Sequence, residues 1–155
     1  MPAKHEKAAL IVGAGDATGG AIAKRFAREG YATVMIRRHA EALEELASAI
    51  RAAGGTAYPM GVDARDEDQM VALFAHIEEE IGPLEAVIFN IGANVHFSIT
   101  ETTARVFRKV WEMACFAGFL TGREAARHML PRGRGTVIFT GATASVRGGP
   151  GFSAF

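Results

Sequence analysis

The sequence has little cysteine, no net charge and no long apolar run. Its single cysteine, Cys115, excludes an intramolecular disulfide and any metal site built on several cysteines, and it favours a reducing compartment. Lysine and arginine together number 17, as do aspartate and glutamate, so the formal net charge is zero. This balance argues against a nucleic-acid partner and against binding to an anionic membrane, because both kinds of protein carry a basic surplus.

No apolar run approaches the roughly 18–20 residues that span a bilayer. The apolar stretch near the N-terminus is too short for a secretory signal and lacks a cleavage pattern. We therefore expect a cytoplasmic protein with no membrane partner. The chain has 155 residues, of which 49% are hydrophobic and 22% charged, and no repeat, low-complexity tract or linker divides it. Residues 1–155 are expected to form one globular domain.

Five short apolar runs alternate with helical patterns along the chain. The runs are AALIV (8–12), ATVMI (32–36), AYPMGV (57–62), AVIFN (86–90) and TVIFT (136–140). Continuous runs of this kind are typical of strands covered on both faces. The alternation predicts an α/β fold with a parallel sheet, for which we choose the Rossmann-type doubly wound strand order 3-2-1-4-5. Ligands of such sheets bind beyond the carboxyl ends of the strands, where the order reverses between strands 1 and 4.

Helices are predicted between the strands from apolar residues spaced three and four apart. Asp66 followed by Gln69 resembles a capping box, and Gly54 with Gly55 can end the preceding helix in a left-handed conformation. A long helix is expected from about residue 102 to residue 129. Its middle, CFAGFL (115–120), is apolar on more than one face, so it should be buried or paired with another subunit.

A glycine-rich loop, GAGDATGG (13–20), joins the first strand to a helix. Glycines at this turn let the backbone approach a diphosphate closely, and the helix N-terminus offers free N–H groups and a positive dipole end. A plain tight turn is the alternative, because such turns also need glycine. As a cofactor loop, it would bind through Gly13, Gly15, Asp16, Ala17, Thr18 and Gly19.

The second strand ends in Arg37 and Arg38. A carboxylate at this place would accept a hydrogen bond from the 2′-hydroxyl of NAD, whereas arginine can pair bidentately with the 2′-phosphate of NADP. The alternative is a pair of solvated surface arginines. We prefer NADP over NAD as the cofactor.

Four motifs occur in order: GAGDATGGAIA (13–23), VDA (62–64), FNIGAN (89–94) and GTVIFTGATAS (135–145). Together they resemble the short-chain dehydrogenase/reductase family over essentially the whole chain. The resemblance implies a Rossmann fold, a nicotinamide cofactor and hydride transfer to or from a small carbonyl or alcohol substrate. It also implies a homo-oligomer, and further family elements after residue 155, so that the fold is truncated after the fifth strand.

The resemblance also assigns cofactor residues by position. Gly13 and Gly19 match the first and third glycines of the family loop, and the second falls on Ala17. Asp63 matches the aspartate that hydrogen-bonds the adenine amino group, with Ala64 beside it; a solvated loop aspartate is the alternative. Asn90 and Gly92 match the motif after the fourth strand, although Asn90 could instead connect the ends of two strands.

The family's catalytic groups are not found at the matching positions. The helix asparagine falls on Ala114, the serine on Ala142 and the tyrosine on Phe155, while the lysine would follow the last residue. None of these side chains can transfer a proton, a contribution typically worth about 10²–10⁴-fold. A nucleotide-binding pseudoenzyme and an interaction protein are therefore alternatives to an oxidoreductase. His96 is a candidate for a replacement acid, with a solvated or structural histidine as the alternative, and no metal site is expected.

Overall fold

The protein, described in a computed structural model over residues 4–93 and 95–154, is built on a five-stranded parallel sheet. The strands are β1 (Ala8–Val12), β2 (Ala32–Arg37), β3 (Thr56–Gly61), β4 (Leu84–Phe89) and β5 (Thr136–Phe139). Their order is β3-β2-β1-β4-β5, and every neighbouring pair is parallel. The predicted fold class and strand order are confirmed, with strand ends shifted by at most two residues.

Within the described residues, five α-helices lie between the strands. They are α1 (Thr18–Arg28), α2 (Glu44–Ala52), α3 (Glu67–His76), α4 (Ala104–Trp111) and α5 (Ala117–Met129). A π-helical turn, Glu112–Phe116, joins α4 to α5 without a break, so the long helix predicted from the sequence exists and begins at Ala104. Such wider turns occur often at functional sites.

The predicted helix signals act as expected, with one difference. Gly54 has a φ of +81° just after α2, a conformation that glycine adopts without strain. Asp66 Oδ1 accepts a hydrogen bond from the Gln69 N–H at 3.0 Å, which caps α3. The reciprocal half of the capping box is missing, because Gln69 Oε1 accepts from the Asp63 N–H at 3.0 Å instead. The cap therefore fixes the loop that carries Asp63 to the start of α3.

The sheet separates two apolar cores, and alternate strand residues point into each. Leu10, Val12 and Val34 belong to the cluster with Phe74 of α3 and Leu120 of α5. Their neighbours along the strands belong to the opposite cluster, which α1 and α2 cover; its larger members are Ile11, Met35, Leu43, Ile50 and Ile88. Burial on both faces explains why the first, second and fourth strands read as continuous apolar runs.

The last strand and the long helix depart from the expected burial. Ile138 and Phe139 of β5 are 46% and 54% exposed, because β5 is an edge strand that pairs only with β4 among the described residues. In the CFAGFL segment, Ala117 and Leu120 are buried, but Cys115 is exposed and Phe119 is 56% exposed. The segment is therefore only partly buried within this chain, and the other half of the expectation, pairing with another subunit, stays a prediction. No helix within the described ranges is long and apolar enough to cross a membrane.

Candidate cofactor site

A cleft of about 310 Å³ opens at the carboxyl ends of the first four strands, where the strand order reverses. This is the place at which open parallel sheets bind ligands. Segments that are distant in sequence meet there: the loop after β1, the end of β2, the loop after β3, the segment after β4, and the π-helical turn. The lining residues are Val12, Gly13, Ala14, Gly15, Ile36, Arg37, Arg38, Val62, Asp63, Ala64, Arg65, Ile91, Gly92 and Met113.

Glycines let the loop after β1 turn tightly against the sheet. Gly13 has a φ of +86°, and a Cβ there would lie 2.9 Å from the Asn90 backbone oxygen. A Cβ on Gly19 would lie 2.5 Å from the Gly13 backbone oxygen. Gly20 is equally constrained, because a Cβ there would collide with the Gly15 backbone oxygen. Our sequence reasoning did not assign a role to Gly20, although its place at the start of a helix after a strand is a signal for close packing.

The N-terminus of α1 follows this loop directly. The N-cap residue is Ala17, whose side chain makes no capping hydrogen bond, and α1 begins at Thr18. The first-turn N–H groups of α1 therefore have no side-chain acceptor from their own cap, and they carry the positive end of the helix dipole. Asp16, Ala17 and Thr18 are exposed there but do not line the cleft itself.

Arg37 and Arg38 lie at the end of β2, and both side chains line the cleft while remaining exposed. Neither forms an ion pair with any other residue in the described part of the chain. Because neither guanidinium group is held in an ion pair within the described residues, they give this end of the cleft a positive charge. An anionic group such as a phosphate would be attracted to it.

Asp63 and Arg65, in the loop after β3, form a bidentate ion pair inside the cleft. Arg65 Nε donates to Asp63 Oδ1 at 2.9 Å and Nη2 donates to Oδ2 at 2.6 Å, while the Arg65 backbone N–H also donates to Oδ1 at 3.1 Å. These bonds to Arg65 hold the pKa of the Asp63 carboxyl below its usual range, and the nearby charge of Arg38 adds to the effect. Asp63 is thus a paired, partly buried residue of the cleft, and its contact with adenine stays a prediction. Arg65 was missed in the sequence, because nothing local marks it as a cleft residue.

Asn90 and Gly92 follow β4, but only Gly92 lines the cleft. Asn90 Nδ2 donates to the Gly13 backbone oxygen at 3.3 Å, and the Asn90 N–H donates to the Val12 oxygen at 2.8 Å. Asn90 therefore joins the carboxyl ends of β1 and β4; this structural role does not exclude contact with the cofactor, which stays a prediction. In that role it supports the glycine loop from behind.

The positions that match the family's catalytic groups are spread over three segments. Ala114 is partly buried in the π-helical turn, next to the cleft residue Met113, and Ala142 is exposed after β5. Phe155 lies outside the described residues. His96 is exposed and contacts the edge of the Phe152 ring, with 5.1 Å between ring centroids, and it does not line the cleft. No group of three potential metal ligands occurs within residues 4–93 and 95–154.

The chain matches the family model described as short chain dehydrogenase over residues 7–155. It belongs to the short-chain dehydrogenase/reductase family. Gluconate 5-dehydrogenase of Gluconobacter oxydans is 31% identical to this protein. The match covers 95% of this chain and 57% of the length of that relative. A short-chain dehydrogenase from Rhodopseudomonas palustris has 55% identity and a TM-score of 0.91 over 96% of this chain and 70% of its own. A variant of actinorhodin polyketide ketoreductase, solved with NADPH, has 25% identity and the same TM-score of 0.91, over 96% of this chain and 58% of its own.

The residues present fit a dinucleotide cofactor of the kind this family binds. The turn at residues 13–20 leaves no room for side chains at Gly13, Gly19 and Gly20, which keeps the backbone accessible before a helix N-terminus. The cleft continues from this loop to a positively charged end at Arg37 and Arg38. The glycine loop would face the diphosphate of a dinucleotide, and the positively charged end would favour a further anionic group beyond it.

Proposed function

We propose that this protein is an NADP-dependent oxidoreductase that transfers hydride between the nicotinamide cofactor and a small carbonyl or alcohol substrate. The observation that carries the proposal is a cleft at the carboxyl ends of β1–β4, which combines the glycine loop with arginines at the end of β2. The bound cofactor would supply the hydride chemistry. This chain's residues would bind the cofactor and orient its reactive ring.

The preference for NADP over NAD rests on Arg37 and Arg38. Hydrogen bonds to charged groups contribute about 1.5–3 kcal/mol each, so losing one phosphate-binding arginine should weaken NADPH binding by about 10–100-fold. The same substitution should weaken binding of NADH far less, because NADH has no 2′-phosphate. Under this proposal Gly13, Gly15, Thr18 and Gly19 would lie at the diphosphate.

Titration of the protein with NADPH and NADH, followed by the fluorescence of the reduced nicotinamide, tests this assignment. We expect tighter binding of NADPH, and we expect Arg38→Asp to reverse the preference. Arg25→Asp is a suitable control, because Arg25 is exposed and pairs with Glu29, which directly follows α1 and does not line the cleft. Absence of binding of both cofactors at millimolar concentration would contradict the proposal.

A nucleotide-binding pseudoenzyme is the second candidate, and the residues at the family's catalytic positions favour it. Ala114 and Ala142 have no titratable group, and phenylalanine at position 155 has no hydroxyl. The full-length protein should be assayed for NADPH oxidation with a panel of ketones, alongside the double variant Ala142→Ser with Phe155→Tyr. Turnover by the unaltered protein favours the oxidoreductase, whereas turnover that appears only in the variant favours a dormant site.

We also propose a cytoplasmic homo-oligomer that associates through the long helix. Phe107, Trp111, Cys115 and Phe119 are spaced four apart and are all exposed on α4, the π-helical turn and α5. An exposed aromatic stripe of this kind is typical of an interaction surface. Sedimentation velocity should show a dimer or larger species that Phe119→Asp dissociates. A monomer at all concentrations would contradict this part of the proposal.

A further inference from the structure

The family resemblance implies that the Asp63 carboxylate accepts a hydrogen bond from adenine, but Arg65 already uses most of the acceptor positions of that carboxylate. Asp63 Oδ1 accepts two hydrogen bonds from Arg65, at 2.9 and 3.1 Å, and Oδ2 accepts one at 2.6 Å. An ionised carboxylate offers about four acceptor positions, so one remains free, on Oδ2. A base that used Asp63 alone would receive only this one position, unless the bidentate pair broke.

The Arg65 guanidinium keeps most of its donors. It has five N–H groups, of which the pair with Asp63 uses one on Nε and one on Nη2. The remaining three form no hydrogen bond within the described residues, and the side chain lines the cleft. Its hydrogen bond to Asp63 raises the pKa of Arg65, and the charge of Glu112 adds to that effect without forming an ion pair. The pair is firmly positioned: the Asp63 N–H is bonded to Gln69 of α3, and the two side chains are only 28% and 30% exposed. The Asp63–Arg65 pair, which lines the cleft, thus keeps one acceptor position and three donors that no hydrogen bond within the described residues uses.

This pattern is complementary to an edge of adenine. The amino group of adenine is a donor, and a ring nitrogen next to it, N1 or N7, is an acceptor. We propose that Arg65 recognises the base: it donates to one of these ring nitrogens while Asp63 accepts from the amino group. The inference rests on the proposed dinucleotide function and adds to it a residue that the family resemblance does not assign.

Two other roles for Arg65 make different predictions. If Arg65 only neutralises Asp63, the base should bind equally well without the guanidinium donors. If Arg65 blocks Asp63, removing it should free the carboxylate and tighten binding. The proposed role requires that its removal weaken binding, and that the loss depend on the ring nitrogen.

The test combines Arg65→Met with cofactor analogues in a binding cycle. Arg65→Met keeps an unbranched side chain but removes every donor. The ligands are NADPH and two NADPH analogues, which carry 1-deazaadenine and 7-deazaadenine and so lack N1 and N7 respectively. Dissociation constants are measured by reduced-nicotinamide fluorescence, and thermal unfolding verifies that each variant is folded. Arg123→Met is the matched control, because Arg123 is 24% exposed and pairs with Glu67 and Glu124 outside the cleft.

For the unaltered protein we expect one of the two deaza analogues to bind about tenfold more weakly than NADPH, as the loss of a hydrogen bond to a charged donor predicts. In Arg65→Met, NADPH itself should bind about tenfold more weakly, and that analogue should bind as NADPH does. The control variant Arg123→Met should show the same roughly tenfold difference between NADPH and that analogue as the unaltered protein does. The inference is overturned if both analogues bind the unaltered protein as NADPH does, if the difference persists in Arg65→Met, or if Arg65→Met binds NADPH as tightly or more tightly. Failure of the unaltered protein to bind NADPH at all would instead refute the proposed function on which the inference rests.

Discussion

Gly19→Ala should disrupt the glycine loop by a calculable overlap. The added Cβ would lie 2.5 Å from the Gly13 oxygen and 2.8 Å from the Ala14 Cα, both of them backbone atoms. A Cβ in ordinary packing lies about 3.4 Å or more from such backbone atoms, so the loop has to move by nearly 1 Å. Overpacking of this kind lowers the free energy of unfolding by about 1–3 kcal/mol. Movement of the Gly13 oxygen also weakens its hydrogen bond from Asn90, which contributes about 1 kcal/mol.

The free energy of unfolding of Gly19→Ala should therefore fall by about 2–4 kcal/mol, which corresponds to roughly 5–15 °C in Tm for a chain of this size. Urea unfolding at constant pH measures the first quantity, and fluorescence titration with NADPH should show binding at least about tenfold weaker, because the displaced loop is the proposed diphosphate site. Gly148→Ala is the matched control, since a Cβ at Gly148 meets nothing within 4 Å. If Gly19→Ala unfolds within 0.5 kcal/mol of the unaltered protein and binds NADPH normally, the close-packed turn is refuted.

Three further predictions concern stability. The lowered pKa of Asp63 means that its pair with Arg65 stabilises the fold above the ordinary aspartate range and that this contribution is lost as the pH falls through the lowered pKa. In urea unfolding at pH 7, the free energy of unfolding of Asp63→Asn should be lower than that of the unaltered protein by at most about 1 kcal/mol, and this difference should disappear at strongly acidic pH. A difference that does not change with pH would contradict the assignment. Phe74→Ala removes a fully buried side chain and should lower the free energy of unfolding by about 3–5 kcal/mol in the same measurement. Val71→Ala, on the exposed side of α3, should change it by less than about 0.5 kcal/mol. Equal losses in the two variants would mean that α3 packs differently. Asn90→Ala removes the hydrogen bond to the glycine loop and should lower the free energy of unfolding by about 1 kcal/mol. An unchanged free energy of unfolding would show that this bond does not stabilise the strand ends.

Much of the candidate site could be predicted because its residues follow strands directly. Gly13, Arg37 and Asp63 each come at the end of a run whose apolar character marks it as a strand. In a parallel sheet these ends meet at one edge, so the cleft could be located before its shape was known. Asn90 was predictable in position, but only the structure shows that its side chain connects the ends of β1 and β4, and its contact with the cofactor stays a prediction.

Other features had no local signal. Arg65 lies on a polar loop, and only the fold of that loop against α3 turns its side chain back onto Asp63. Gly20 is one of several glycines in its loop, and only the approach of the Gly15 oxygen shows that it has no room for a side chain. Phe119 lies within an apolar segment, yet the helix presents it to solvent while its neighbour Leu120 is buried.

The sequence by itself determined the alternation of strands and helices, because the periodicity of burial in each element is a local property of the chain. Together with the order of its motifs, this was enough to predict a parallel sheet of order 3-2-1-4-5 and the edge at which ligands bind. Only the tertiary structure decided which side chains meet within that edge, that Asp63 is held by Arg65, and that β5 and Phe119 remain exposed. Contacts of this kind join segments far apart in the chain or depend on what packs against them, so no local pattern of residues specifies them.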